Sequence, residues 1–466
     1  MRWTVCADRL DWGLIGLEVA ERRKWCGDPA VPDGDELGFV GCSEDLDRSH
    51  LERRLRSAGF DPFAVPVVVL SEVDRSEPDR VRALLSAAGA RSRHYPGSRP
   101  EHLKPVMPRV TSRRSLFAFM SPVYRSVPHP DPSTCGAGDG CRACVDTCPH
   151  NALEWSNGIV THDRLACEGC GRCVAACPAG AMIDPRFTPS QLEAEIGGLL
   201  GAHAAPTGIL WHCSRGAAPD PTPGWHGVAV PCVGMLMPHW IIGPLLQGAA
   251  AVAVAECNCG IEPDSDGRAS AAVAAARRWL SAAGIGDAAA RVQGGAGASP
   301  LRDGLPIRSA GIYGAHGAAV LADALGAAVW DDDLAPLGVI SIDQEACTGC
   351  EMCATVCPSA AVESTGDAGK LELWFEPSLC TACGECVDRC PEDGAISLRR
   401  AVDTRELRDG RRRLVAHEVA RCVKCGGSVA PKAALHRIAS ALGGDATLMK
   451  QISSVCLDCR GTTMVF

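Results

Sequence analysis

The sequence predicts a multidomain chain of mixed α/β and α+β class. Two copies of a cysteine-rich unit flank a parallel α/β domain, and a small C-terminal subdomain is clipped by a four-cysteine site. Three observations carry this expectation. A C-x2-C-x2-C-x3-C-P run occurs at Cys347, Cys350, Cys353 and Cys357-Pro358, repeats at Cys380, Cys383, Cys386 and Cys390-Pro391, and has a counterpart between Cys135 and Cys177. Between these two regions, apolar strand-sized stretches alternate with helix-like ones. Near the end, Cys422-x2-Cys425 and Cys456-x2-Cys459 form two paired knuckles.

At 466 residues and roughly 150 residues per domain, three or four domains are expected. The 50 glycines and 32 prolines point to loop-rich units. A net charge of −9 argues against a nucleic-acid-binding surface. Of 27 cysteines, sixteen fall in the four runs, four in the middle, four in the terminal knuckles, and only Cys6, Cys26 and Cys42 stand outside a metal-like grouping. A secreted disulfide scaffold is short and lacks such spacings, so a compartment that keeps thiols reduced, the cytoplasm, is expected. The charged N-terminus has no apolar core of a secretory signal, and the twin-arginine-like Ser112–Met120 lacks an apolar segment behind it.

In chain order, residues 1–90 read as a small α/β domain, with strands at Gly38–Cys42 and Pro66–Leu70 followed by helices at Asp47–Ala58 and Pro78–Ala88. No G-x-G-x-x-G or G-x4-G-K-[ST] follows either strand. Residues 91–132 are basic and proline-rich and read as a linker, carrying Arg91, Arg93, Arg99, Lys104, Arg109, Arg113 and Arg114. An acidic partner surface is the alternative role for that strip.

The first cysteine-rich module spans 133–187. Its later half is regular, with Cys167, Cys170, Cys173 and Cys177-Pro178. In its earlier half five residues separate Cys135 from Cys141, before Cys144 and Cys148-Pro149; the glycines of that insert let it loop out at little conformational cost. Between the halves, Asn157-Gly158 joins two β-like runs and is a tight-hairpin signal. The second module, 337–400, bridges its halves with AVESTGDAGKLELWFE in the same manner. In the middle domain, 190–330, strands are expected at Thr207–Cys213, Gly227–Cys232 and Ala250–Cys257, with helices at Pro238–Gln247 and Arg268–Ala283. Ligands of parallel sheets gather at the carboxyl ends of the strands, which would bring Cys213, Cys232, Cys257 and Cys259 together. The stretch from Pro221 to Ala255 has no charge, but prolines, a histidine and a glutamine cut it into pieces too short to span a membrane. The C-terminal subdomain, 415–466, places Cys422, Cys425, Cys456 and Cys459 as one tetrahedral four-thiolate site. Zinc is the first choice there, and a rubredoxin-like iron or a further cluster the second.

The C-x2-C-x2-C-x3-C-P spacing is the bacterial iron–sulfur pattern, whose fourth thiolate crosses to the other cluster. Zinc or disulfides explain three closely spaced cysteines plus C-P poorly. Both modules resemble two-cluster bacterial ferredoxins. That resemblance implies four [4Fe–4S] clusters: Cys347, Cys350, Cys353 and Cys390 around one; Cys380, Cys383, Cys386 and Cys357 around the next; Cys167, Cys170, Cys173 and Cys148 around the third; and Cys135, Cys141, Cys144 and Cys177 around the fourth. Without Cys135 that last site would hold three irons or a labile fourth. Residues 205–285, with PCVG and QGAAAVAVAECNCG, resemble the delta, iron–sulfur subunit of methyl-viologen-reducing hydrogenases, a family also fused to heterodisulfide-reductase-type proteins. It implies a [2Fe–2S] cluster on Cys213, Cys232, Cys257 and Cys259, with bare thiols or another metal as alternatives. His212 is a packing or hydrogen-bonding residue, or a substitute ligand.

Clusters exchange single electrons without making substrate bonds, and the sequence shows no dinucleotide fingerprint, protease helix or nucleophile elbow. The expected role is a non-catalytic electron-transfer subunit of an oxidoreductase complex. Its partners would be a hydrogenase, heterodisulfide-reductase, formate or molybdopterin subunit and a redox acceptor or donor. A redox or oxygen sensor or scaffold, and a reductase with a cryptic flavin site in the N-terminal domain, are the alternatives.

Overall fold

The computed structural model describes residues 2–5, 19–22, 37–41, 48–106, 123–202, 206–215, 219–220, 222–257, 259–261, 265–286, 292–293, 304–305, 309–326, 329–367, 369–441 and 453–461. Cys6, Cys26, Cys42, Arg109, Arg113, Arg114 and the Ser112–Met120 run lie outside them. The chain divides into two compact units, Met1–Cys135 with Arg142–Leu325, and Gly136–Cys141 with Gly326–Phe466.

The first unit begins with a parallel sheet of β1 (Arg2–Val5), β2 (Val19–Arg22), β3 (Leu37–Gly41) and β4 (Val67–Val69), ordered β2-β1-β3-β4. Trp3, Val40, Val68 and Leu70 pack with Val81 and Leu85 of the helix Pro78–Arg93. That helix opens on a proline with Asp79 in its first turn and closes on Arg91 and Arg93, charges matched to its dipole. It packs on the helix Pro189–Gly201, started by a Thr188–Gln191 capping box. The two approach closely because Gly198 has no side chain; a Cβ there would stand 2.7 Å from Ala87 Cα.

Residues 91–132 are less linker-like than their composition suggests. The helix runs on to Arg93, and β5 (Leu103–Val106) pairs antiparallel with β6 (Val123–Ser126). Lys104 and Arg125 face each other across that pair, and a carboxylate distant in sequence, Glu168, holds both. Local composition cannot register such a tertiary partner.

In the first module, β7 (His129–Pro130) pairs with β10 (Met182–Ile183), and β8 (Leu153–Ser156) with β9 (Ile159–His162). The β8–β9 turn is the expected one, with Asn157 at φ 51° and Gly158 at φ 78°. The central sheet is parallel throughout: β11 (Gly208–Cys213), β12 (Trp225–Val230), β13 (Ala251–Val254) and β14 (Val292–Gln293), ordered β12-β11-β13-β14. All four residues of β13 are buried. The uncharged stretch thus becomes sheet interior plus the buried helix Pro238–Gln247, and no helix among the described residues is long and apolar enough to cross a membrane.

The second unit repeats the module with a larger sheet. β15 (Val329–Asp331) and β16 (Gly338–Ile342) flank the later β19 (Ile396–Asp403), both antiparallel. The hairpin of β17 (Val362–Asp367) and β18 (Lys370–Phe375) gains β20 (Arg412–Arg421) and β21 (Ser428–Pro431). Ile340, Leu373, Phe375 and Val415 bury Cys353, Cys380 and Cys386 among them.

Candidate metal centres

In the three regular half-motifs the backbone follows one template. A left-handed residue precedes the second cysteine: Gly169 (φ 62°), Gly349 (φ 72°) and Ala382 (φ 52°). A second follows it: Gly171 (φ 83°), Glu351 (φ 63°) and Gly384 (φ 90°). The first turns its own N–H onto the sulfur of the opening cysteine, from Gly169 to Cys167 Sγ at 3.3 Å, from Gly349 to Cys347 and from Ala382 to Cys380. A hydrogen bond to sulfur favours the thiolate. Glu351 and Ala382 hold this conformation without glycine's freedom, a strain that persists only where surroundings over-determine it. The irregular half keeps a left-handed Gly140 (φ 97°) before Cys141 but not the second such residue, since Arg142 has φ −128°.

Cysteines of opposite half-motifs approach one another in three groups. Cys347, Cys350, Cys353 and Cys390 line one small cavity, about 20 Å³, against Ile342, Leu373, Ala395 and Ile396. A cavity of the same size is lined by Cys148, Cys167, Cys170 and Cys173. Cys357 lies close enough to Cys380, Cys383 and Cys386 to act on the charge of each. Burial, the largest cause, pushes Cys167 and Cys380 up to about 11 and Cys353 and Cys386 up to about 12. Thiols gathered around an apolar-walled cavity, with amides aimed at several of their sulfurs, fit a cationic iron–sulfide core that displaces the protons. Of the remaining set, Cys135, Cys144 and Cys177 belong to the first unit and Cys141 ends the short segment grouped with the second. The Ala181 N–H donates to Cys177 Sγ at 3.2 Å.

In the central sheet, β11 ends on Cys213, and Cys232, Cys257 and Cys259 follow β12 and β13. Their four sulfurs lie within 4.8 Å of one another. The Cys213 thiol donates to the Pro231 carbonyl at 3.4 Å, and Cys257 and Cys259 are 3.1 Å apart. A hydrogen bond with Cys213, and then burial, pushes Cys232 up strongly. His212 is not in this group; its Nδ1 lies 3.3 Å from the Cys213 carbonyl and its ring edge lies over Gly227. Sequence reasoning missed the link between this group and the first module. At Gly171, two residues before Cys173, a Cβ would stand 2.4 Å from Met235 Sδ and 3.2 Å from Pro231 Cβ. The cysteine loop therefore sits directly on the segment that carries Cys232.

The terminal knuckles also close into one group, Cys422, Cys425, Cys456 and Cys459, within 4.8 Å. The Val423 N–H donates to the Ser454 carbonyl at 2.9 Å and ties the knuckles together. Backbone N–H groups of Cys456, then Cys425, hold Cys422 down at about 6, while hydrogen bonds with Cys425 and Cys456 push Cys459 up to about 12.

Comparison with known proteins agrees with this geometry. Residues 138–181 and 339–391 each match a 4Fe-4S dicluster domain, so two such domains imply four [4Fe–4S] clusters. Residues 220–298 match the methyl-viologen-reducing hydrogenase, delta subunit. Cys135 and Cys213 fall just outside the matched stretches. The chain is therefore an iron–sulfur electron-transfer protein, with two dicluster domains flanking a hydrogenase-delta-like domain. NADH-quinone oxidoreductase subunit I of Pelobacter propionicus is 38% identical over 68 residues, 12% of this chain and 34% of the relative, so the chain spans about a third of that protein's length.

Proposed function

We propose that this chain relays single electrons as the non-catalytic iron–sulfur subunit of a multi-subunit oxidoreductase of hydrogenase or heterodisulfide-reductase type. The clusters take the crossed cysteine sets: Cys347/Cys350/Cys353/Cys390, Cys380/Cys383/Cys386/Cys357, Cys167/Cys170/Cys173/Cys148 and Cys135/Cys141/Cys144/Cys177. Cys213, Cys232, Cys257 and Cys259 hold a further redox metal group, and Cys422, Cys425, Cys456 and Cys459 hold zinc. One observation carries the relay reading: the Cys170–Cys173 loop packs on Pro231 and Met235 beside Cys232, so two metal-binding groups share a wall within one unit. The clusters supply one-electron exchange; the chain's residues hold them apart from water and set their potentials through burial, charge and N–H···S bonds.

The delta-subunit likeness supports [2Fe–2S] at the middle site. The closeness of its four sulfurs favours instead one tetrahedral ion, since thiolates about 2.3 Å from a single metal lie near one another. Anaerobic iron, sulfide and zinc analysis with redox-titrated EPR separates the two. The relay with a binuclear middle site gives about 18 iron atoms and one zinc per chain. A middle site with one ion lowers the iron count to about 16 or 17. A count near eight leaves one dicluster domain empty and overturns the relay.

A further inference from the structure

A cavity of about 990 Å³ in the first unit lies on the face of the central sheet that carries His212. That volume is in the range of small-molecule sites. Its floor is shallow: Gly227 and Ala229 of β12 lie beside Leu210 and His212 of β11, and at Gly227 nothing but hydrogen separates the strand from the His212 ring. Apolar side chains of the N-terminal domain, Phe63 and Val67 among them, line it as well. It touches two metal-binding groups of this unit, through Gly169 of the Cys167–Cys170 loop and through Pro231 beside Cys232.

One end of this cavity carries a charge excess. Lys104, Arg215 and Arg125 converge on the single carboxylate of Glu168, at 2.9, 3.3 and 3.8 Å. Three cations on one carboxylate leave an excess of two positive charges, and Lys104 and Arg125 are directly opposed on their strands, an arrangement that by itself is unfavourable. Lys104 spends its ammonium on Glu168 and on the Cys167 carbonyl at 2.8 Å. Arg125 and Arg215 instead line the cavity. Each guanidinium offers five N–H donors in a planar fork suited to phosphate, and Glu168 is the acceptor both share. A cost in self-repulsion, retained at a cavity wall, marks a place where an anion completes the charge balance.

We infer that this cavity binds a phosphorylated heteroaromatic ligand of the flavin or nicotinamide kind, with its phosphate on Arg125 and Arg215 and its ring on the Gly227–Ala229 floor beside His212. The redox character of the ligand rests on the electron-relay reading above; the binding does not.

The test is equilibrium dialysis of the anaerobically prepared, metal-loaded full chain with flavin mononucleotide, with NADH and with riboflavin, alongside iron analysis of each sample. Flavin mononucleotide or NADH should bind saturably at one per chain, which also identifies the ring. The Arg125→Gln/Arg215→Gln double variant should lose at least about 100-fold in affinity for it, from two lost charge-assisted contacts, with iron content unchanged. Gly227→Leu, which leaves both arginines in place, should abolish binding by filling the floor. If the flavin is the ligand, riboflavin should bind wild type and double variant alike. Saturable binding of neither phosphorylated probe, or full affinity in the iron-replete double variant, overturns the inference. An iron count near eight with intact binding overturns the relay alone.

Discussion

Arg80 shows how one side chain ties the first unit together. Its guanidinium pairs with Asp74, both buried, and donates to the Trp225 carbonyl of β12 at 2.7 Å. Burial pushes the Asp74 carboxyl up, but hydrogen bonds from Arg80 and Ser71 outweigh it and hold the carboxyl below its ordinary value. Arg80→Met leaves that carboxylate buried without its cation and should cost about 3–5 kcal/mol in the first urea transition at pH 7. Because the folded pKa of Asp74 is depressed, its contribution is full above about pH 4 and is lost as pH falls through the lowered value. His239 works in another window. Burial alone lowers it to about 3, and its Nδ1 has no partner. It folds neutral, so the unfolded chain takes up its proton first. Stability from this position is complete above about pH 6.5 and drains as pH falls from there toward 3. His239→Phe should flatten that part of a stability-versus-pH curve measured by denaturant midpoints; an unchanged slope removes His239 as its source.

The cysteine loops are the elements whose shape matters most. Gly171 combines a left-handed backbone with a wall at Met235 and Pro231. Gly171→Ala should therefore cost about 1–3 kcal/mol from the backbone alone, read as a lower midpoint for the first unit. Shortening the flexible neighbour in a Gly171→Ala/Met235→Ala pair should recover the steric part and not the conformational part. Glu351 is the reverse case, a non-glycine residue held at φ 63°. Glu351→Gly should stabilise the second unit by about 1 kcal/mol; no gain in its thermal midpoint would mean that the loop is unstrained. Sequence reasoning placed β11, β12 and the helix Pro238–Gln247 within two residues, and ran β13 three residues too far, to Cys257. It carried the second strand on to Cys232, whereas β12 stops at Val230 because Pro231 has no N–H for the ladder. It also read β5 and β6 as linker, because the acid that steadies their cations arrives from Glu168.

Across the whole molecule, the two cavities with crossed cysteines differ in their electrostatic surroundings. The one holding Cys148, Cys167, Cys170 and Cys173 has Lys104, Arg125 and Arg215 around Glu168 in its loop. The one holding Cys347, Cys350, Cys353 and Cys390 has Glu351 and Glu392 in its wall. Reduction adds negative charge, which nearby cations favour and carboxylates oppose. The cluster in the first unit should thus titrate at the higher midpoint potential, and Lys104→Met should lower it without changing the second unit's signal. Redox-titrated EPR reads both, and equal midpoints would show that these charges do not set the order.

The cysteine spacings by themselves pointed to iron–sulfur chemistry, because three thiolates within seven residues can converge locally; the crossed pairing came from the resemblance to two-cluster ferredoxins. Strand and helix periodicity likewise determined a parallel central sheet with cysteines at its carboxyl ends. Only the tertiary structure decided that Gly171 rests on Met235, that three cations share Glu168, and that a cavity opens on the His212 face. Those depend on residues tens of positions apart meeting at atomic distance, and neither composition nor period encodes such a meeting.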